Sequence, residues 1–245
     1  MKALTHVGIL SVLLICSKTV PVMAVGAELI DIEPTAFFVP VGFDDNDDAV
    51  VVVDGYLPDT CYRLRPAEVT VDLAKKRIVV QPKATRFPGL CLDVTVPYST
   101  VVHLGVVPDG SYTVTTKQEK AVERLDVKKA TIQAPDDYLY APVDSLQVQI
   151  LSGGKMRASL MGRFTNTCLK IKEVKLINSG KSLEALPIMQ QLDKAEGGGA
   201  CENKEIPFEY KLDLPLLNPG RYLLHVRSLN GQSVNEVFTN MWLSK

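Results

Sequence analysis

The sequence predicts an all-β protein: two tandem Ig-like antiparallel β-sandwich domains, each closed by one disulfide, behind an N-terminal signal peptide. Three observations carry this. Gly55 to Cys61 reads GYLPDTC and is echoed 107 residues later by Gly162 to Cys168, GRFTNTC. Each copy continues to a second cysteine, Cys91 or Cys201, and then to a matching run: VPYSTVVHLGVVPDGSYTV from Val96 and IPFEYKLDLPLLNPGRYLL from Ile206. In those runs Pro97 pairs with Pro207, Leu104 with Leu214, Gly110 with Gly220 and Tyr112 with Tyr222, each 110 residues apart. Finally, short stretches rich in Val, Ile, Thr and aromatics alternate with Pro/Gly/Asp breaks, with no useful run of helical period.

The first segment is an address. Lys2 supplies a positive start, Val7 to Cys16 an apolar stretch, and Val22-Met23-Ala24 a small-residue cleavage signal; together they read as a secretory signal peptide over 1–24. Cleavage after Ala27 is the alternative. The apolar stretch is shorter than the roughly 20 residues a membrane span needs. Lipid anchoring through Cys16 is the lesser reading, because Ile15 stands where a lipid box has a small residue. The chain is thus expected to be secreted or periplasmic, with no transmembrane segment after cleavage.

Four cysteines then remain. Three pairings are open to four cysteines, and the duplication selects Cys61 with Cys91 and Cys168 with Cys201, because equivalent positions should bond alike. Each bridge constrains the unfolded chain by about 3.5–4 kcal/mol on the chain-entropy account. A zinc site is the other use of four cysteines, but the sequence has no C-x-x-C pair.

In the first domain, residues 28–130, strands are expected at Ala36–Val39, Ala49–Asp54, Cys61–Leu64, Glu68–Val71, Arg77–Val80, Leu92–Val96, Val101–Leu104 and Ser111–Thr115. Val50 to Val53 is continuously apolar and suits a strand covered on both faces, whereas Glu68 to Val71 alternates and suits a strand with one wet face. A closing strand at Val122–Lys128 follows by analogy with the second domain, residues 131–245, with a short helix there as the competitor. That second domain ends on an Asn230-Gly231 hairpin signal and a strand over Val234–Phe238. Pro108-Asp109-Gly110-Ser111-Tyr112 and Asn218-Pro219-Gly220-Arg221-Tyr222 resemble tyrosine corners, in which a phenol pins a strand to upstream backbone. Antibody domains place a cysteine two residues further on; Val114 and Leu224 stand there instead.

The pattern G-x-LP-x-x-C, a second Cys, P-(F/Y), L-G, then G-x-Y-x-V resembles a sandwich module of uncharacterised exported bacterial proteins and lipoproteins. Gly55, Leu57, Pro58, Cys61, Cys91, Pro97, Tyr98, Leu104, Gly105, Gly110, Tyr112 and Val114 carry it. In the second copy Thr165 and Pro215 depart from the pattern. The resemblance implies a fold and an export route and assigns no activity.

Function is less legible. A net charge of −1 argues against a nucleic-acid surface. No catalytic residue is expected: there is no nucleophile elbow, P-loop, H-E-x-x-H or dinucleotide fingerprint. His103 and His225 read as strand-face residues, and 197–199 (three glycines) as a loop. The concentrated polar feature is Asp44, Asp45, Asn46, Asp47 and Asp48. Asp44, Asn46 and Asp48 have the D-x-N-x-D spacing of a calcium loop, but Ala49 and Gly55 stand where its glycine and bidentate glutamate belong. The expectations are a solvated acidic turn or, alternatively, a Ca²⁺ or partner loop; no other cofactor is implied. Leu186, Ile188, Met189 and Leu192 are either core or an apolar partner patch. The functional expectation is a non-enzymatic exported binding or structural protein contacting a protein or glycan of the envelope. The alternative is a small secreted inhibitor or assembly factor acting through the disulfide-braced loop Leu57-Pro58-Asp59.

Overall fold

The computed structural model describes residues 26–134, 136–192 and 200–241. The signal-peptide segment with Cys16, the glycines 197–199 and Trp242 lie outside the described residues. The first copy supplies β1 (Glu28–Asp31), β2 (Ala36–Phe38), β3 (Phe43–Asp44), β4 (Asp48–Leu57), β5 (Tyr62–Asp72), β6 (Arg77–Arg86), β7 (Val96–Val106), β8 (Gly110–Thr115) and β9 (Val122–Lys128). The second supplies β10 (Val143–Ile150), β11 (Met156–Phe164), β12 (Leu169–Asn178), β13 (Ser182–Gln191), β14 (Ile206–Leu214), β15 (Gly220–Ser228) and β16 (Gln232–Asn240). No described helix is long and apolar enough to cross a membrane.

Each copy folds into two sheets, and the second repeats the strand order of the first. In the first copy the sheets are β2-β4-β7 and a larger one containing β5, β6, β8, β9 and β3, with β1 added to β6. In the second they are β10-β11-β14 and β12-β13-β15-β16. Several expectations need correction. The sheets are not purely antiparallel, because β6 pairs with β8, and β13 with β15, in parallel. β3 also runs parallel to β9.

In both copies the parallel contacts stop shortly before a proline, at Val79 ahead of Pro82 and at Ala185 ahead of Pro187. Proline has no N–H to give to a ladder, so a neighbouring strand can leave there without orphaning a donor. The preceding chain then takes over the edge: Ile32 N–H donates to Pro82 O (3.0 Å) and Ala141 N–H to Pro187 O (2.8 Å).

Other corrections are local. The two strands expected at Cys61–Leu64 and Glu68–Val71 are one strand, β5, with a bulge between Arg65 and Glu68 that accommodates Pro66. Leu92 to Thr95 is exposed loop, and β7 begins only at Val96. β1 carries no strand signal strong enough to have been expected. The closing strand at Val122–Lys128 and the Asn230-Gly231 hairpin are present, the latter with positive φ at both turn residues (62° and 68°) as a type I′ turn requires.

Inside each copy the inner faces of the two sheets make a core. Val51, Val53, Ile78, Val80, Tyr112, Val114 and Leu125 belong to the first. Met156, Leu160, Leu183, Leu224 and Val226 belong to the second. A third cluster joins the copies: Phe38 and Val52 from the outer face of β2-β4-β7 meet Leu223, with Ala36 and Val237 alongside. The four sheets therefore stack face on face, with β2-β4-β7 and β12-β13-β15-β16 in the middle. This is why Val50 to Val53 is apolar throughout.

The duplication supplies a control. The cross-strand row Phe38–Val52–Val101 on the covered face corresponds to Gln147–Ser159–Lys211 on the outer face of β10-β11-β14. On the other side of the seam Leu223 pairs Val237, where the first copy pairs exposed Thr113 with Arg124. The copies have diverged to be apolar where they touch and polar where they end, as in capped repeat proteins.

Candidate interaction site: the stapled loops and the seam

The repeated motif is a loop clasp. Cys61 bonds Cys91 and Cys168 bonds Cys201, each with Cα atoms 5.4 Å apart. Both bridges lie at a sheet end, tying the turn after β4 or β11 to the long loop after β6 or β13. The Asx residue two before the first cysteine caps it: Asp59 Oδ1 accepts from Cys61 N–H (2.7 Å) and Asn166 Oδ1 from Cys168 N–H (2.9 Å). The intervening threonine reaches across, Thr60 Oγ1 accepting from Leu92 N–H (2.9 Å) and Thr167 Oγ1 from Glu202 N–H (3.1 Å).

The motif glycine is explained by the aromatic opposite it. Gly55 pairs with Tyr98 and Gly162 with Phe208. A Cβ on Gly55 would meet Tyr98 Oη at 2.7 Å, and one on Gly162 would meet Pro142 O at 2.0 Å and the Phe208 ring at 2.8 Å. The tyrosine corners are made as well: Tyr112 Oη–H donates to Pro108 O (2.7 Å) and Tyr222 Oη–H to Asn218 O (3.0 Å).

The acidic loop lies against the seam. Asp47 Oδ2 accepts from Arg227 Nη1 at 3.0 Å, with side chains only 6% and 9% exposed. Arg227 Nη2 donates to Gly42 O (2.6 Å), and its guanidinium lies 5.0 Å from the Phe43 ring centroid. Asp45 Oδ1 accepts from Ala130 N–H (2.7 Å), and Asn46 Nδ2 donates to Ile132 O and Ala134 O in the segment joining the copies. Asp48 receives His103 Nδ1 (2.7 Å) and Gly105 N–H (3.0 Å). Asp44 accepts from Asn46 N–H at 3.4 Å; burial, then the charge of Asp47, push its carboxyl above the usual range. Among the described residues, the one set of three potential ligand groups within reach of a single ion is Asp59, Cys61 and Cys91, whose sulfurs are bonded to each other.

Four further groups complete the seam. Arg221 Nη2 holds Asp54, which is 1% exposed. Glu184 Oε1 accepts from Val41 N–H (2.9 Å) and from Ser179 (3.1 Å), and burial pushes its carboxyl up. His225, fully buried, bonds Asn235 (2.8 Å) and sits edge-on to Phe43; burial holds its pKa down at about 4. Sequence reasoning did not single out Arg221 and Arg227. Their signal was the comparison with Ser111 and Lys117 in the other copy.

His103 is exposed beside Asp48, and among the described residues no hydroxyl or thiol hydrogen-bonds to its ring. Ile188 and Met189 are buried, Met189 against Ala141 and Phe164; Leu186 and Leu192 are half-buried. Leu57 is also buried, leaving Pro58 as the exposed member of its loop. A run of exposed apolar side chains lies on the other arm of the first clasp: Phe87, Leu90, Leu92 and Val94 all face solvent, Leu92 at 70% and Leu90 fully.

The fold and clasps define an all-β, disulfide-bonded protein of β-sandwich type. In agreement, residues 51–124 match the family described as the ORF11 beta-sandwich domain. The match runs from within β4 into β9, taking in the first clasp and the first tyrosine corner. Comparison with curated proteins and with solved structures gave no match.

Proposed function

We propose that this is a non-enzymatic exported protein of the cell envelope or exterior that binds a protein or glycan, built as two Ig-like units over 28–130 and 131–245 behind a signal peptide. The two disulfides favour an oxidising compartment. The tyrosine corners favour the Ig-like reading, although one of the two strands beside each corner strand runs parallel to it. The observation that carries binding is the loop after β6, where Phe87, Leu90, Leu92 and Val94 are held out on a covalent brace. Apolar side chains gathered in solvent mark contact surfaces, and a braced loop loses little freedom on binding.

The test is affinity capture from the source organism's envelope fraction, with the oxidised protein and a Leu90→Asp/Leu92→Asp variant as baits. Loss of a captured component with the variant, melting temperature unchanged, supports the reading; identical captures overturn it. The inhibitor alternative would act through the same braced end, and inhibition of a protease panel that the variant loses would favour it.

A further inference from the structure

We infer that the free edge of β7 is a docking site for an extended polypeptide segment, which adds to the sheet β2-β4-β7 as a further strand. The inference rests on the binding reading but places the contact at a second surface, the edge of the strand that follows the braced loop. It starts from what an edge strand needs. Every second residue of an outer strand presents unpaired N–H and C=O groups, and proteins blunt such edges with charges, prolines and bulges.

Three other outer strands are blunted in this way. β5 carries Arg63, Arg65, Pro66, a bulge and Glu68; β12 carries Lys170, Lys172, Glu173 and Lys175 with a bulge after Ile171; β14 carries Glu209, Lys211 and Asp213. β7 is eleven residues long and holds no Lys, Arg, Asp or Glu, and its one proline, Pro97, stands second from its start. Among the described residues it pairs only with β4, and it is regular from Val96 to His103, its irregularity falling next to Gly105. The contrast is sharp at one equivalent position, Val101 in β7 and Lys211 in β14.

β7 is also not a bare edge. A trough of about 300 Å³ runs along Pro97 to Val101, and its far wall is β16 of the other copy, through Asn235, Glu236 and Val237, with Arg221 alongside. Val101 and Val237 give it an apolar strip with the buried Val52 at its base, and Ser99 and Asn235 give it polar margins.

These features choose the occupant. The unsatisfied groups of a strand edge are complemented by another extended backbone, the mode called β-augmentation. A wall standing opposite the edge admits a single segment. A second copy of the chain would bring its own β16 wall together with its β7. The strip of valines calls for an apolar, β-branched side chain on the face of the incoming segment that points into the trough. The site exists only because the copies are docked, since one wall comes from each.

The probe is a random-peptide phage library selected on immobilised oxidised protein. Selected peptides are synthesised for calorimetry and for hydrogen exchange of their complexes. The expected result is slowed exchange of amides in Val96–His103 and an affinity at least about tenfold lower for Val101→Lys. Val101 is exposed, so the fold should tolerate the lysine; Ser99→Lys, also exposed, is the second variant, and Leu90→Asp/Leu92→Asp should bind the peptides unchanged. A library that yields no binder, peptides that protect another region, or wild-type affinity in both lysine variants overturns the inference. So does self-association of the wild type that Val101→Lys abolishes, which would make the occupant a second copy. Envelope capture that responds to Leu90→Asp/Leu92→Asp and not to Val101→Lys would leave the binding reading standing and remove this one.

Discussion

Asp47→Ala should destabilise the protein far more than an acidic loop residue ordinarily would. Asp47 and Arg227 are 180 residues apart in sequence, meet at 3.0 Å and are almost wholly buried. Removing the carboxylate strands a guanidinium whose other contacts are Gly42 O and the Phe43 ring. Breaking one side of a buried pair costs about 3–5 kcal/mol, because the remaining charge is uncompensated. Replacing both partners by apolar groups is near neutral or better. Asp47→Ala should therefore lose about 3–5 kcal/mol in urea denaturation of the oxidised protein followed by circular dichroism, and Asp47→Ala/Arg227→Met should recover most of it. The coupling from the double-mutant cycle isolates the pair. A loss below about 1 kcal/mol, the range of an exposed pair, would refute the reasoning, because the loop would then be solvated and the seam unmade.

Gly162→Ala should cost at least the ~1–3 kcal/mol of overpacking and more than Gly55→Ala, since its new methyl meets the Pro142 carbonyl and cannot be relieved by Phe208→Leu; denaturation midpoints of the three variants check this. His225 is held neutral with a folded pKa of about 4, so the unfolded chain takes its proton first as pH falls below about 6.5. Stability is then lost between pH 6.5 and 4, by about 2 kcal/mol at pH 5 at 1.36 kcal/mol per pH unit. Glu184, pushed up by burial, works in the opposite sense, so the readout is the difference between wild type and His225→Gln at pH 7 and pH 5, where the variant should lose less. Titration with Ca²⁺ should raise neither heat nor melting temperature, because Asp45, Asp47 and Asp48 are engaged within the chain; a saturable heat would assign the loop to the ion instead.

The clasp was legible because, of the three pairings open to four cysteines, one alone keeps each bridge inside its own copy of the repeated pattern. The same duplication made Tyr112 and Tyr222 readable as strand anchors. Strand pairing direction was not legible. Pro82 and Pro187 mark where a parallel neighbour leaves, but a proline in an apolar run reads from sequence as a strand edge, not as a change of partner. The acidic loop was read as a solvated turn or an ion site because its partners, Arg227 and the Ala130–Ala134 segment, are distant in sequence. Val50 to Val53 announced a strand covered twice, yet nothing local says what covers it. Only the comparison of Phe38, Val52 and Val101 with Gln147, Ser159 and Lys211 exposes the seam, and that comparison needs the register.

The claim beneath the rest is that the two copies are held together by the seam and not merely by the chain between them. Placing a protease site between Thr131 and Ala134, cutting it, and running the nicked oxidised protein by size exclusion tests this directly. Co-elution at the size of the intact chain, with separation on adding Asp47→Ala and Val52→Asp, is the predicted result. Halves that part on cutting, each still folded, would contradict it.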